Sequence, residues 1–265
     1  MSLSAYVSGL GVLGPGLANW PEAAAVLSGR QDYRPAATVL PMPPILAAAE
    51  RRRVGRVVKL ALGVALQATS QAGEDPAALP SVFSSSGADG HNCHELCQTL
   101  SREGREISPT RFANSVHNAA AGYWSIGTGA MGQSTVLCAF DASFTAGLLD
   151  AMTQVAVDRS SVLLVAYDSE YPEPLHAKRP IPDAFGVAMV LTPQRRPASL
   201  ARVDAALSEM DFDRFADPAL EALRTAFPAA RSLPMLKLLT AQESGTAILE
   251  YLDVLRLQVH IEPCA

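Results

Sequence analysis

Ser134-Thr135-Val136-Leu137-Cys138-Ala139-Phe140, a helical segment over 144–157, then Val162-Leu163-Leu164-Val165-Ala166-Tyr167: two apolar, β-rich runs bracket one helix. A crossover of this length brings the two strands parallel in one sheet, which then needs helices on both faces. Outward from this unit, Ser81-Val82-Phe83-Ser84 reads as another strand, followed by a helix over 91–102. At the start, Ala5-Tyr6-Val7 is a short strand, and the Gly/Pro-rich run 9–16 turns toward a helix opened by Asn19 and Pro21. A Pro-rich connection over 35–44 leads to a long helix over 51–72, stopped by Gly73. In it Val54, Val57, Val58, Ala61 and Ala65 share one face, with Arg56, Lys59, Gly63 and Gln67 on the other. A strand over 185–191 is expected to pair antiparallel at the sheet edge. After Thr192 the pattern weakens to a helix over 218–226 and a last strand over 255–261. The expected class is α/β, a mixed sheet covered by helices.

Composition bounds the function. The chain has 265 residues, 49% hydrophobic and 18% charged, with a mean hydropathy of +0.15. This excludes a largely disordered chain and allows one sizeable core. Lys+Arg 21 against Asp+Glu 26 gives −5, and beyond Arg51-Arg52-Arg53 no basic cluster exists. A nucleic-acid groove has no electrostatic basis, and a neutral or acyl-type ligand fits better. Cys93, Cys97, Cys138 and Cys264 make no disulfide framework, and the first residues lack signal-peptide features, so a cytoplasmic location is expected. The longest apolar stretch, 54–68, is interrupted by Arg56, Lys59 and Gln67, and no membrane span is expected.

Several motifs carry chemistry on paper. Gly9-Leu10-Gly11-Val12-Leu13-Gly14 matches G-x-G-x-x-G after a strand, but Pro15 and Gly16 delay the helix, and no acid-terminated strand follows the next crossover. It reads as a glycine-rich turn. Gly127-Thr128-Gly129-Ala130-Met131-Gly132 precedes a strand, the wrong order, and is a loop. His91, Cys93, His94 and Cys97 supply part of a zinc site without a second cluster to complete it, and the other reading is a helix carrying soft side chains. Cys138 reads as a mid-strand packing thiol. No G-x-S-x-G elbow exists. Ser143, where strand turns to helix, suits a nucleophile at the positive end of a helix dipole, or simply an N-cap, and spacing identifies no base for it.

At this corner a family resemblance enters. Ser108-Pro109-Thr110-Arg111-Phe112-Ala113-Asn114-Ser115-Val116-His117-Asn118-Ala119-Ala120-Ala121-Gly122-Tyr123-Trp124-Ser125-Ile126 resembles the β-ketoacyl synthase segment that precedes the nucleophile strand. The Tyr-Trp-Ser-Ile continuation looks like the short chain-length-factor-type members associated with aryl polyene clusters. Further matches are 7–16, the helix 51–72, Val162-Leu163-Leu164-Val165-Ala166-Tyr167-Asp168 and Tyr171-Pro172-Glu173-Pro174-Leu175, covering the chain to about residue 192. The resemblance implies a thiolase-like fold whose C-terminal half is truncated: a ketosynthase N-terminal-like domain over 1–192 and a degenerate extension over 193–265 packed on the same core.

The departures from the family are as informative. Where condensing enzymes carry Thr-Ala-Cys-Ser-Ser-Gly-Leu, this chain has Ala142-Ser143-Phe144-Thr145-Ala146-Gly147-Leu148, so Phe144 stands at the nucleophile position. A phenyl ring forms no thioester. None of His91, His94, His117, His176 and His260 maps onto a cysteine-partner histidine. The resemblance therefore implies no catalytic residue, and a subunit that pairs with a catalytic ketosynthase in a heterodimer and serves an acyl carrier protein. The carrier's phosphopantetheine arm would bring the substrate, with no cofactor or metal of the chain's own. Ser134, Thr135, Val136, Leu137, Cys138, Ala139 and Phe140 are the dimer-interface candidates. Residues 111–122, with Phe112, Asn114, His117 and Asn118, and Ser143, Phe144 and Thr145 at the corner, are candidates for the acyl-channel wall. For Phe144 ordinary core packing is the other reading. The alternative function is a self-sufficient acyltransferase or hydrolase using Ser143 or Cys138.

Overall fold

The computed structural model describes residues 2–264. In chain order the elements are β1 (Leu3–Leu13), α1 (Trp20–Leu27), α2 (Ala48–Arg53), α3 (Arg56–Ala72), β2 (Ser81–Ser84), α4 (Gly90–Leu100), α5 (Pro109–Ser115), α6 (Ala119–Thr128), β3 (Ser134–Leu137) and α7 (Ser143–Asp158). There follow β4 (Val162–Asp168), β5 (Phe185–Thr192), β6 (Ala201–Ser208), α8 (Pro218–Ala226), α9 (Leu233–Leu238), β7 (Gly245–Glu250) and β8 (Arg256–Pro263). The strands form one mixed sheet in the order β3-β2-β4-β5-β1-β6-β8-β7. β3, β2 and β4 are parallel, and every other neighbouring pair is antiparallel.

The sheet separates two apolar layers. Leu148, Met152, Phe185 and Phe227 belong to the one under α7 and α1, and Val58, Ala61, Phe83 and Trp124 to the one under α3 and α6. The parallel unit centred on α7 is as the sequence predicts. So are the Asn19 cap of α1, whose side chain accepts from the Glu22 N–H, and the Gly73 stop of α3 at φ +66°.

Three expectations are corrected. First, the run 9–16 is not a turn, because β1 continues to Leu13. Gly9 and Gly11 are there for close approach: a Cβ at either would stand 2.1 Å from the carbonyl oxygen of Ala68 or Val64 in α3. Pairing of β1 with β6 ends at Val7, and beyond it the Leu10 and Val12 N–H groups donate to the side chains of Gln71 and Gln67, 2.8 and 3.0 Å away. The polar face of α3 thus completes the strand's hydrogen bonding. Second, the helix expected over 51–72 is two helices, broken where Val54 turns extended and buries its side chain. Third, β5 is antiparallel as expected but central, between β4 and β1. All eight of its residues are buried, as a strand covered on both faces requires.

β3 is also shorter than its apolar run. It ends at Leu137, and Cys138, Ala139 and Phe140 lie beyond it, with Phe140 at φ +51° opening a 3-10 turn over Phe140–Ala142. Strands β6, β8 and β7 extend the sheet past β1, with α8 and α9 between them in sequence. Among the described residues no helix is long and apolar enough to cross a membrane.

Candidate functional site

In an open sheet with parallel strands, ligand chemistry gathers beyond the strands' carboxyl ends. Here that place lies beyond β3, β2 and β4, where Cys138, the Ser85-Ser86 loop and Asp168 lead into the N-terminus of α7.

Ser143 is buried, and its hydroxyl is used twice. It donates to the Phe140 carbonyl at 2.7 Å and accepts from the Ala139 N–H at 3.1 Å. The residue at the N-cap of α7 is Ala142, so Ser143 does not cap the helix but braces the turn before it. Phe144 is 0% exposed and packs in the layer that contains Val82, Leu148 and Phe185. Thr145 donates to the Glu250 carbonyl at 2.6 Å, tying α7 to β7. Cys138, read from sequence as packed, is exposed, and its thiol donates to the Ser86 carbonyl at 3.2 Å. The His117 ring donates to the neighbouring Ser85 carbonyl, also at 3.2 Å. Cys138 and His117 are therefore tied to the same dipeptide.

The remaining sequence candidates lie apart from the corner. Asn114 is buried, donates to the Arg53 carbonyl at 2.9 Å and accepts from the Tyr123 hydroxyl. Asn118 stands at the N-cap of α6 without a side-chain cap bond. Phe112 is 61% exposed on α5. Beside them the α2–α3 junction, α4, α5 and Glu170 line a cleft of about 450 Å³. In its wall Asn92 donates to the Arg111 carbonyl at 2.6 Å, and Arg56 pairs with Glu170 and Asp183.

Sequence reasoning missed two features of the corner. Asp168 closes β4, fully buried, with one carboxylate oxygen accepting from the Ser86 N–H at 2.8 Å and the other from the Ala229 N–H at 3.0 Å. Burial pushes its pKa up to about 6, against these hydrogen bonds and the nearby Arg179 charge, which lower it. Its only signal in sequence is an acid directly after an apolar strand. The second feature is a chain of ion pairs. Arg179 and Arg231 both reach Asp141, at 2.5 and 3.1 Å, and Arg231 also pairs with Glu250. Glu250 in turn holds Arg224, which pairs with Glu221 as well, each at 2.6 Å. The Arg179 guanidinium lies 3.7 Å over the ring of Phe140. Only Glu221 and Arg224, three residues apart, could be paired from sequence.

Cys93 and Cys97 are both exposed on α4. Among the described residues no group of three or more His, Cys, Asp or Glu side chains is placed to hold a metal ion.

The comparisons bear on this geometry. No curated protein matches the chain. Among solved structures it is similar to a chain of the ketosynthase ApeO in complex with its chain length factor ApeC from Xenorhabdus doucetiae, with 22% identity, TM-score 0.72, and 98% of this chain and 99% of that one covered. It is similar to a chain of the ishigamide ketosynthase/chain length factor, with 14% identity, TM-score 0.72 and coverages of 99% and 100%. It is also similar to a chain of AntDE:AntF, a type II polyketide synthase acyl-carrier protein in complex with its ketosynthase, at 10% identity, TM-score 0.74 and full coverage of both chains. These show the fold, thiolase-like and ketosynthase-like, over the whole of a chain this short. Residues 19–245 match the family described as the N-terminal domain of β-ketoacyl synthases, and the chain belongs to that family.

Proposed function

We propose that this chain is a noncatalytic, chain-length-factor-like subunit that pairs with a catalytic ketosynthase and shapes the channel for a carrier-protein-linked acyl chain, in polyene, polyketide or fatty-acid-like elongation. The observation that carries the reading is the state of the corner. Phe144 is sealed in the core, the Ser143 hydroxyl is committed to two backbone groups, and an acyl-enzyme needs a free nucleophile with a base beside it.

The sheet supplies a face for the partner. Among the described residues β3 is the terminal strand, paired with β2 alone, and an open strand edge is normally covered by another chain or a helix. We assign the ketosynthase to this edge, at Ser134-Thr135-Val136-Leu137. Cys138, Ala139 and Phe140 continue the contact outside the strand. The channel wall falls to residues 111–122 and the cleft beside them, with Phe144 filling the vacated nucleophile position from the core side. The substrate arrives on the phosphopantetheine arm of the carrier protein, and the chain needs no cofactor of its own.

The test is reconstitution. Co-expression with a ketosynthase should raise soluble yield and give a heterodimer in gel filtration. The chain alone, with acyl and malonyl carrier protein, should give no elongated product. Condensation or hydrolysis by the isolated chain, abolished by Ser143→Ala or Cys138→Ala, would replace this reading with a self-sufficient acyltransferase or hydrolase.

A further inference from the structure

Helix α4 presents two of the four cysteines one turn apart on its solvent side. Cys93 and Cys97 are both free and exposed, four residues apart on one helix, so their side chains stand one above the other on the same face. The helix beneath them is well fixed. The Asp89 side chain caps it by accepting from the Asn92 N–H at 2.9 Å. Asn92 and Leu96 are buried, and Asn92 holds the carbonyl of Arg111.

This geometry disfavours a direct sulfur–sulfur bond. Side chains four apart on a helix have Cβ atoms about 5–6 Å apart, whereas a disulfide brings them to about 3.5–4.5 Å. Closing one would unwind a turn that the cap and Asn92 hold. A soft atom bonded to each sulfur at roughly the 2.3 Å of a zinc–thiolate bond spans the gap without disturbing the helix. A structural zinc ion needs four ligands, and no third ligand is placed here among the described residues. What remains is an electrophilic centre satisfied by two thiolates.

We propose that Cys93 and Cys97 form a dithiol clip for thiophilic centres that take two sulfur ligands from the protein, the class being trivalent organoarsenicals. With an arsenic(III) oxide as reactant, two As–S bonds form and the As–O linkage breaks. The oxygen leaves as one water with the two thiol protons, and no oxidation state changes. Burial and the neighbouring thiol push the Cys93 pKa up. The site is independent of the proposed function.

The experiment titrates the reduced full-length chain with phenylarsine oxide and reads bound arsenical by intact mass. One arsenical per chain is expected, resisting excess glutathione and removed by a dithiol. Cys138→Ser with Cys264→Ser should bind as the parent does. Cys93→Ala and Cys97→Ala should each lose at least ~100-fold in affinity, the usual scale on which a second tethered contact acts. Moving the thiol one position, by Cys97→Ala with Gln98→Cys, should bind no better than Cys97→Ala. Circular dichroism checks the fold of each variant, and Cys93→Ser and Cys97→Ser give the same reading if an alanine variant fails to fold. Unchanged affinity in Cys97→Ala, parent-like binding by the shifted pair, or mapping of the arsenical to Cys138 or Cys264 would overturn the proposal.

Discussion

Arg231 and Asp141 join the turn after β3 to the C-terminal part of the sheet. Their side chains stand 3.1 Å apart, and Arg231 also pairs with Glu250 on β7. The turn before α7 is held by charge: Arg179 covers Phe140, and Asp141 has a guanidinium on each side. This gives the segment after residue 192 a mechanical task, since Arg224, Arg231 and Glu250 all come from it.

The network should therefore matter to stability. Arg224 is 3% exposed between Glu221 and Glu250, and removing one member of a buried pair leaves a charge uncompensated, at about 3–5 kcal/mol. Both carboxylates keep some contact with water and Glu250 keeps Arg231, so Arg224→Met is expected below that range, at about 1–3 kcal/mol. Arg224→Lys should recover part of it. Urea denaturation reads the loss, and a midpoint equal to the parent's would show that the network carries no net stability.

Asp168 makes a pH-dependent contribution with an unusual sign. Its folded pKa of about 6 lies above its ordinary value of 3.8, so the folded chain holds this proton more tightly than the unfolded one. Its contribution is full below about pH 4 and is lost as pH rises through about 6. That rise from 3.8 to about 6 corresponds to about 3 kcal/mol at most. Asp168→Asn removes the titration and leaves the Ser86 or Ala229 N–H without an acceptor, costing about 1–3 kcal/mol. The stability advantage of the parent over Asp168→Asn should shrink between pH 4 and pH 7. A gap that widens over that interval would mean a carboxyl held below its ordinary pKa.

What the sequence discloses here follows the range of the forces involved. Strand β4, helix α7 and the Asn19 and Gly73 ends of their helices rest on local periodicity and capping, and all are legible. The place of β5 is not, because eight apolar residues suit an edge or a centre alike until it is known what covers them. Gly9 and Gly11 mislead, since a glycine that admits a helix at close range looks the same as one that makes a turn. At the corner, Ser143 and Phe144 are singled out by their position in the sequence. Asp141, Arg179 and Arg231 are not, because they meet only through contacts 38 or more residues apart.

Phe144→Ala should act through packing. The ring is fully buried, and truncating such a side chain costs about 3–5 kcal/mol. Phe144→Cys should lose stability too and still give no condensation with the chain alone, because none of the five histidines maps in sequence onto a cysteine-partner histidine. Thermal denaturation and a malonyl carrier protein assay read the two halves. Full stability in Phe144→Ala, with longer products in the heterodimer, would put Phe144 on the channel wall instead.

Phe112 is expected to behave in the opposite way. It is 61% exposed on α5, in the segment assigned to the channel wall, and an exposed aromatic ring adds little to the stability of the isolated chain. Phe112→Ala should therefore move its stability by no more than about 0.5 kcal/mol. In the heterodimer the missing ring leaves room at the wall, so the product distribution should move to longer chains while the complex still forms. Phe112→Trp, which narrows the same space, should shorten it. Mass spectrometry of the released acyl chains reads both, and gel filtration confirms that the partner is retained. If the two variants give the parent's products from an intact heterodimer, Phe112 does not set chain length, and the wall lies deeper in the cleft toward Asn92 and Asn114.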